Sequence, residues 1–377
     1  MAGVGILFTP PRLGISVAAS AKLYAYEPGT TTLRSTYTTS ALSVANANPL
    51  VADSAGLFGA VYIDPALGYK FVLKTSADVE IWSQDNAYLP SAYLDPQICQ
   101  GRLTLESGVP VTVNDNGAKT TIYFTPYGGN RIALYNTTKA AWELYSFTER
   151  SLALTGFAAD TNFDLFLYDN AGTLTLEQTA WSSATARATA ITLQDGVYVK
   201  SGSLNKRYLG TFRTTGTIGQ TEDSTAKRYV WNYYHRMRRA LRILESTDSW
   251  TYTTATYRQA NNSAANQVDL VVGVAEVLLS LSVRALVSNS AGGAINGAVA
   301  IGEDGLSPVS GLLLQNPELS VASRIFASSA HLDKHPAIGR HYYPWIEYST
   351  ASGTTTWQGD DGAPTIKQSG MSGYIEG

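Results

Sequence analysis

The sequence predicts a mainly β protein: successive β-sandwich or jelly-roll-like domains with one central helix. Three observations predict it. Charged residues make up 15% of the 377 residues, against about a quarter in ordinary globular chains. Thr, Ser, Gly, Ala and Tyr take their place, with 23 tyrosines, a composition that suits strands. Short alternating apolar runs recur along the chain, separated by Gly, Pro, Asn and Asp turns. Only Ser224 to Glu245 has a helical period. There Val230, Tyr234, Met237, Leu241 and Leu244 follow at spacings of 4, 3, 4 and 3, the heptad seam of self-associating helices. Asp223 or Ser224 can cap its start. Arg236, Arg238, Arg239 and Arg242 suit the negative end of its dipole. A helix of two heptads needs a partner surface, either the chain's own sheets or other copies.

The totals exclude several classes. Net charge is −3 and 44% of residues are hydrophobic, so the chain is neither disordered nor drawn as a whole to nucleic acid or anionic membrane. The arginines near 240 read as a solvated face. The single cysteine, Cys99, excludes an intrachain disulfide and a cysteine zinc cluster, and a buried inert thiol is expected. The start, MAGVGILFTPPRLG, lacks the pattern of a secretory signal. Residues 268–287 are the most apolar run, but Asp269, Glu276 and Arg284 interrupt it and its β-branched content reads as strands. No membrane insertion is expected.

Residues 1–95 read as one β domain. Lys22 to Tyr26 alternates, and Glu27-Pro28-Gly29-Thr30 has the order of a type II turn. Asn46-Ala47-Asn48-Pro49 and Asp53-Ser54-Ala55-Gly56 are further turns. Tyr69 to Lys74 turns through Ser76-Ala77-Asp78 into Val79 to Ser83, a hairpin-like pair. In that order KLYAYEPGTTTLRSTYT, SVANANPLVADSAGLFGAVYID and GYKFVLKTSADVEIWSQDN resemble the N-terminal virion-anchoring domain of bacteriophage tail-fibre and tailspike proteins, especially of short-tailed phages. The resemblance spans roughly a quarter of the chain. It implies a β-rich domain that trimerises and docks on portal, adaptor, tail or head proteins, and it carries no catalytic residue. Trp82, Asp85 and Asn86 read as structural. With the heptad seam, it predicts a homotrimer with Leu241 and Leu244 near the three-fold axis.

Leu89 to Pro96 reads as a linker. A middle β domain follows over 99–220. Asn114-Asp115-Asn116-Gly117 separates VPVTV from KTTIYFTP as a hairpin turn. Phe163 to Tyr168 meets Thr173 to Glu177 across Asp169-Asn170-Ala171-Gly172. Val197 to Lys200 and Tyr208 to Phe212 repeat the theme, as in a sandwich or small barrel. TPYGGNRIALYN, DLFLYDNAGTLTLE, LQDGVYVKSG and RYLGTFRTTG, followed by TEDS and KRYVWNYYHR, are similar to a module of phage structural proteins. A helical connector over 221–248 leads to a C-terminal domain over 249–377. Its runs VDLVVGV, VLLSLSVRALVS and AINGAVAIGEDG read as strands. Its ending, from RHYYPWIEY onward, has the strand-turn spacing of a jelly-roll.

Little chemistry is legible. His331, Asp333 and His335 would share one face of a strand and could ligate a transition metal with His341, but Pro336 makes structural histidines the expectation. Gly302 to Gly305 and Gly359 to Gly362 are acidic turns that lack the alternate carboxylates of an EF-hand. No nucleophile-elbow, phosphate-loop or zinc-protease motif is present. No cofactor, metal or catalytic residue is expected, and the chain reads as a non-enzyme. Tyr342, Tyr343, Trp345, Tyr348 and Trp357 cluster near Asp360, and ring faces beside carboxylates suit sugars. The alternation of Tyr343 and Trp345 also fits a core, with Tyr342 and Tyr348 facing a trimer neighbour; on the surface reading Trp345, Tyr348, Trp357 and Asp360 are the candidate receptor-binding residues, and a host surface glycan is the candidate ligand. The functional expectation is a virion fibre or spike, assembled in the host cytoplasm, that mediates host attachment. The alternatives are a glycan-degrading tailspike and a head decoration or neck protein.

Overall fold

The computed structural model describes residues 4–6, 18–64, 67–87, 95–292, 296–310, 321–362 and 365–377. Most of the 89–96 linker lies outside them. The chain divides into two compact units, Met1–Asp95 and Pro96–Gly377, and nearly all its regular structure is strand.

In the first unit, Leu50–Val51, Lys22–Tyr26, Tyr69–Lys74 and Glu80–Ala87 form a four-stranded antiparallel sheet in that order. Alternation places Leu23 and Ala25 inward, and Phe71 and Leu73 join them with Val61 and Ile63. The turn at Gly29 has φ +69°, which glycine adopts without strain. Asp85 accepts the Gly29 N–H at 3.0 Å, so the carboxylate clamps the turn. Asn48 brackets the opposite side: its amide donates to Ala25 O at 2.6 Å and Arg34 O at 3.0 Å, and its oxygen accepts the Ala25 N–H.

The second unit holds two apolar cores. The first lies among Gly101–Thr104, Thr121–Pro126 and Arg150–Ala153, the hairpin Arg131–Asn136 with Ala141–Ser146, and one face of a larger sheet. That larger sheet orders Thr173–Ala180, Asn162–Asn170, Ser203–Arg213, Val197–Lys200 and Ile191–Gln194, with Val230–Asn232 also on Ser203–Arg213. Asn116–Lys119 pairs with Thr221–Asp223 rather than across the Asn114–Gly117 turn, so the hairpin expected there is not formed. The second core lies in a sandwich. One sheet runs through Gly339–Ser349, Gln267–Val272, Lys227–Arg228 and Thr221–Asp223, with Gly297–Ile301 on its flank. The other runs through Arg238–Leu244, Gly370–Glu376, Leu279–Asn289 and Thr355–Gln358, with Phe326–Lys334 on Leu279–Asn289.

The central helix is not formed. Residues 224–245 supply the strands Lys227–Arg228, Val230–Asn232 and Arg238–Leu244. A 4-3-4-3 spacing and a period of two overlap over one short strand. Leu241 points inward at 1% exposure, while Leu244 is 52% exposed. Seven residues of Arg238–Leu244 pair with Gly370–Glu376, and this non-local pairing outweighs local helix propensity. His235 has φ +52°, which breaks any helical run.

Leu241→Ala is expected to lower the unfolding free energy by about 3 kcal/mol, and Leu244→Ala to change it by no more than about 0.5 kcal/mol. Equilibrium denaturation separates this from a heptad seam, in which both would cost alike.

Candidate binding sites

The five residues of the expected seam separate. Val230 is buried in the first core and Leu241 in the second. Tyr234 lies under the Arg207 guanidinium, 4.6 Å from its ring centre, and its hydroxyl accepts from Arg207 Nε at 3.1 Å. Met237 exchanges two backbone hydrogen bonds with Gly377. These side chains share no common face, so the seam they were expected to form is corrected.

The receptor-binding set divides as well. Trp345 and Trp357 are both 0% exposed, and this corrects their placement at a contact surface. Trp357 pairs with Trp250 across neighbouring strands, and Trp250 meets Trp345 edge-on at 5.9 Å. The period-two spacing of Trp345 with Tyr343 puts it on the inner face of its sheet, and Trp250 and Trp357 meet the same core from the facing sheet. Tyr348 is half-buried against Tyr257 at 5.3 Å. Asp360 accepts the Gly362 N–H at 3.2 Å, closing its own turn.

The histidines do not gather. His331 and Asp333 share a strand face, with His331 Nε2 3.1 Å from Asp333. His335 Nδ1 instead meets the Val277 carbonyl at 3.0 Å, and His341 Nδ1 meets Asp304 at 2.8 Å. Among the described residues no group of three His, Cys, Asp or Glu side chains could hold a metal ion. Glu303 accepts from the Tyr343 hydroxyl at 3.0 Å and pairs with Lys334. The first acidic turn is thus tied to neighbouring strands, while the second closes on itself and on Lys367. Ser282, opposite His331, bonds its Nδ1 at 2.8 Å. This Ser282–His331–Asp333 line resembles a nucleophile with base and orienter. Ser282 sits mid-strand, with Leu279–Asn289 paired on both sides, so the ladder occupies the backbone N–H groups that would otherwise hold an oxyanion.

A different constellation lines a partly open pocket. The hairpin Arg131–Asn136 with Ala141–Ser146 packs against Ser203–Arg213. Asn136, Thr137, Tyr145, Asp169 and Asn205 line a cavity there of about 130 Å³, together with Leu134 and Tyr135. The Tyr145 hydroxyl lies 3.0 Å from Glu143 and 3.3 Å from Asp169. Burial and the two carboxylates push its pKa well up. Burial alone would raise the Glu143 pKa, but hydrogen bonds from Lys139, Asn136 and Tyr145 bring it below the ordinary value. Glu143 and Tyr145 share a strand face by their spacing, which the sequence shows. Asp169 and Asn205 come from strands that only the fold brings near.

Two carboxylates test these environments. Burial raises the Glu347 pKa more than Trp250 and Arg258 lower it, so its ionised form costs stability above the unfolded value. Glu347 is 0% exposed and accepts from Trp250 Nε1 at 2.7 Å. Glu347→Ala is expected to cost about 3 kcal/mol or more, and Glu347→Gln much less, because an acceptor remains and the buried charge is gone. Thermal melts of both variants at neutral pH check this. For Glu143 the folded pKa is lowered, so its stabilisation is present above the unfolded value of 4.5 and lost as pH falls through the folded one. Melting temperature is expected to drop between about pH 5 and pH 3, and less steeply in Glu143→Gln.

No family model and no curated protein matches the chain. A structure of infectious bursal disease virus, Gx strain, aligns with 99% of this chain and 69% of its own, at 10% identity and a TM-score of 0.23. The Gt strain of the same virus aligns with 100% and 68%, at 9% identity and a TM-score of 0.18. A Bacillus thuringiensis Cry1Da tryptic core variant aligns with 73% and 52%, at 6% identity and a TM-score of 0.17. Likenesses at this level assign neither a family nor an activity.

Proposed function

We propose that the chain is a bacteriophage virion protein of fibre or spike type. In this reading, residues 1–95 dock on a portal, adaptor, tail or head protein, and residues 96–377 face outward to attach to the host surface. The observation that carries it is the ordered N-terminal pattern from KLYAYEPGT to VEIWSQDN. The same residues form a compact unit with its own core. That unit also leaves Leu33, Val44, Val51, Leu57 and Val79 each more than half exposed. Among the described residues it exposes six large aliphatics, against nine in a unit almost three times its length.

Homotrimerisation remains part of the reading and now rests on the N-terminal resemblance alone. Attachment in this reading is by binding. Outer contact moves away from Trp345 and Trp357, whose rings are enclosed.

The test is an electron-microscopic image of virions decorated with antibody against residues 96–377. Label on a tail or neck appendage is the expected result, and particles free of label would reject the reading. Light scattering of the purified chain at micromolar concentration is expected to give three times the monomer mass. A stable monomer would remove the trimer while leaving the location open to the labelling result.

A further inference from the structure

The cavity beside Tyr145 carries a specific imbalance of hydrogen-bonding groups. A tyrosine hydroxyl has one proton, and here two carboxylates lie within reach of it. Glu143 is otherwise provided for: Lys139 donates to one oxygen at 2.7 Å and Asn136 Nδ2 to the other at 2.8 Å. Asp169 is not. Its Oδ1 accepts the Gly172 N–H at 2.8 Å, but its Oδ2 has only a share of the Tyr145 proton. Across the cavity, no hydrogen bond to the Asn205 amide is found among the described residues. The space thus presents an acceptor short of a donor, and an amide with both a donor and an acceptor to offer.

The chemistry of the occupant follows. An anion would be repelled by Asp169. A hard divalent cation wants about six to eight oxygens, while Lys139 already neutralises Glu143 and one carboxylate remains on the wall. An apolar group would leave Asp169 and Asn205 unpaired, at a cost of about 1–3 kcal/mol for each group. A neutral molecule with several hydroxyls fits, because each hydroxyl both donates and accepts. The cavity of about 130 Å³ lies well below the roughly 300 Å³ of the smallest drug-sized clefts. It is open to solvent on one side, so it can seat one edge of a single ring while the rest of a chain stays outside.

We infer that this cavity binds a single neutral hexose residue of a glycan, with Asp169 accepting from one ring hydroxyl and Asn205 holding its neighbour. Tyr145 is a positioning residue: it holds the Asp169 carboxylate and links it to the buried Glu143. The choice of a glycan as natural ligand rests on the attachment reading, but the cavity's hydrogen-bonding pattern does not. The two are also read separately. Labelled virions speak to location, and sugar binding to the cavity, so either can fail while the other stands.

The experiment is saturation-transfer NMR on the full chain with the methyl glycosides of D-glucose, D-galactose and D-mannose at millimolar concentration. At least one is expected to receive saturation from the wild-type protein. Asn205→Ala and Asp169→Asn are each expected to weaken that binding about tenfold, the loss of one to two hydrogen bonds. Tyr348→Ala, on the separate aromatic patch, is expected to leave it unchanged. Asn205→Ala should keep the wild-type melting temperature, so lost binding in that variant cannot be ascribed to unfolding. Two results overturn the inference: no saturation transfer to any of the three glycosides, which would mean that the cavity holds water alone, or binding that survives both Asn205→Ala and Asp169→Asn.

Discussion

The sheet containing Asn162–Asn170 and Ser203–Arg213 has an apolar core on both faces, and this constraint governs the rest of residues 96–377. Leu165, Leu167, Leu209 and Phe212 enter one core, while Phe166 and Tyr208 enter the other. A strand buried on both faces reads as a continuous apolar run and not as an alternation, which is how FDLFLY reads. Polar groups inside such a wall need internal partners. Asp164, 1% exposed, accepts from Arg187 Nε at 2.6 Å and from Thr211 at 2.7 Å. Arg187 in turn donates to the Gly273 carbonyl at 2.8 Å. A Cβ on Gly273 would fall 2.1 Å from the Tyr208 hydroxyl, so the neighbouring chain passes flush against the wall only because that residue is glycine.

Two buried guanidiniums do for the irregular segments what ladders do for strands. Arg207 donates to the carbonyls of Pro96 and Ala133, each at 2.7 Å, and to that of Gln97 at 3.1 Å. Arg102 donates to the carbonyls of Pro110, His235 and Gly377. Burial lowers the Arg102 pKa to about 10, which still leaves it charged at neutral pH. A cation that reaches three carbonyls at once lets loops run inward without orphaned acceptors. The bend between Val230–Asn232 and Arg238–Leu244 is held this way, by Arg102 on its backbone and by Arg207 on Tyr234.

What was legible in the sequence follows from where the information resides. The hairpins joining Tyr69–Lys74 to Glu80–Ala87 and Asn162–Asn170 to Thr173–Ala180 are local patterns closed by their own turns, and alternation plus turn chemistry suffices to read them. The segment 224–245 is not local. Its pairing partner, Gly370–Glu376, lies more than a hundred residues away, and without that partner a heptad spacing is the better reading of the same residues. Trp345 and Trp357 show the same limit for sites. An aromatic run beside an acidic turn is equally the inner face of a sandwich, and only the opposing sheet decides between the two. The Tyr145 cavity draws on four strands, of which one pair, Glu143 and Tyr145, has a legible spacing. In the sequence Asp169 reads only as a turn residue, and nothing in its neighbourhood points across the fold to Asn205.

Cys99 gives the molecule an internal clock. It is buried at 4% exposure, on a bridge to Ile132, and burial pushes its pKa up to about 11. In the closed state the thiol is both out of reach of a reagent and protonated, so it is doubly unreactive. Any modification therefore passes through an opening of the first core. With a single thiol in the chain, the rate of its alkylation measures how often that core breathes, free of competing signals from elsewhere. The same chain carries a built-in reporter of local unfolding that needs no label and no substitution.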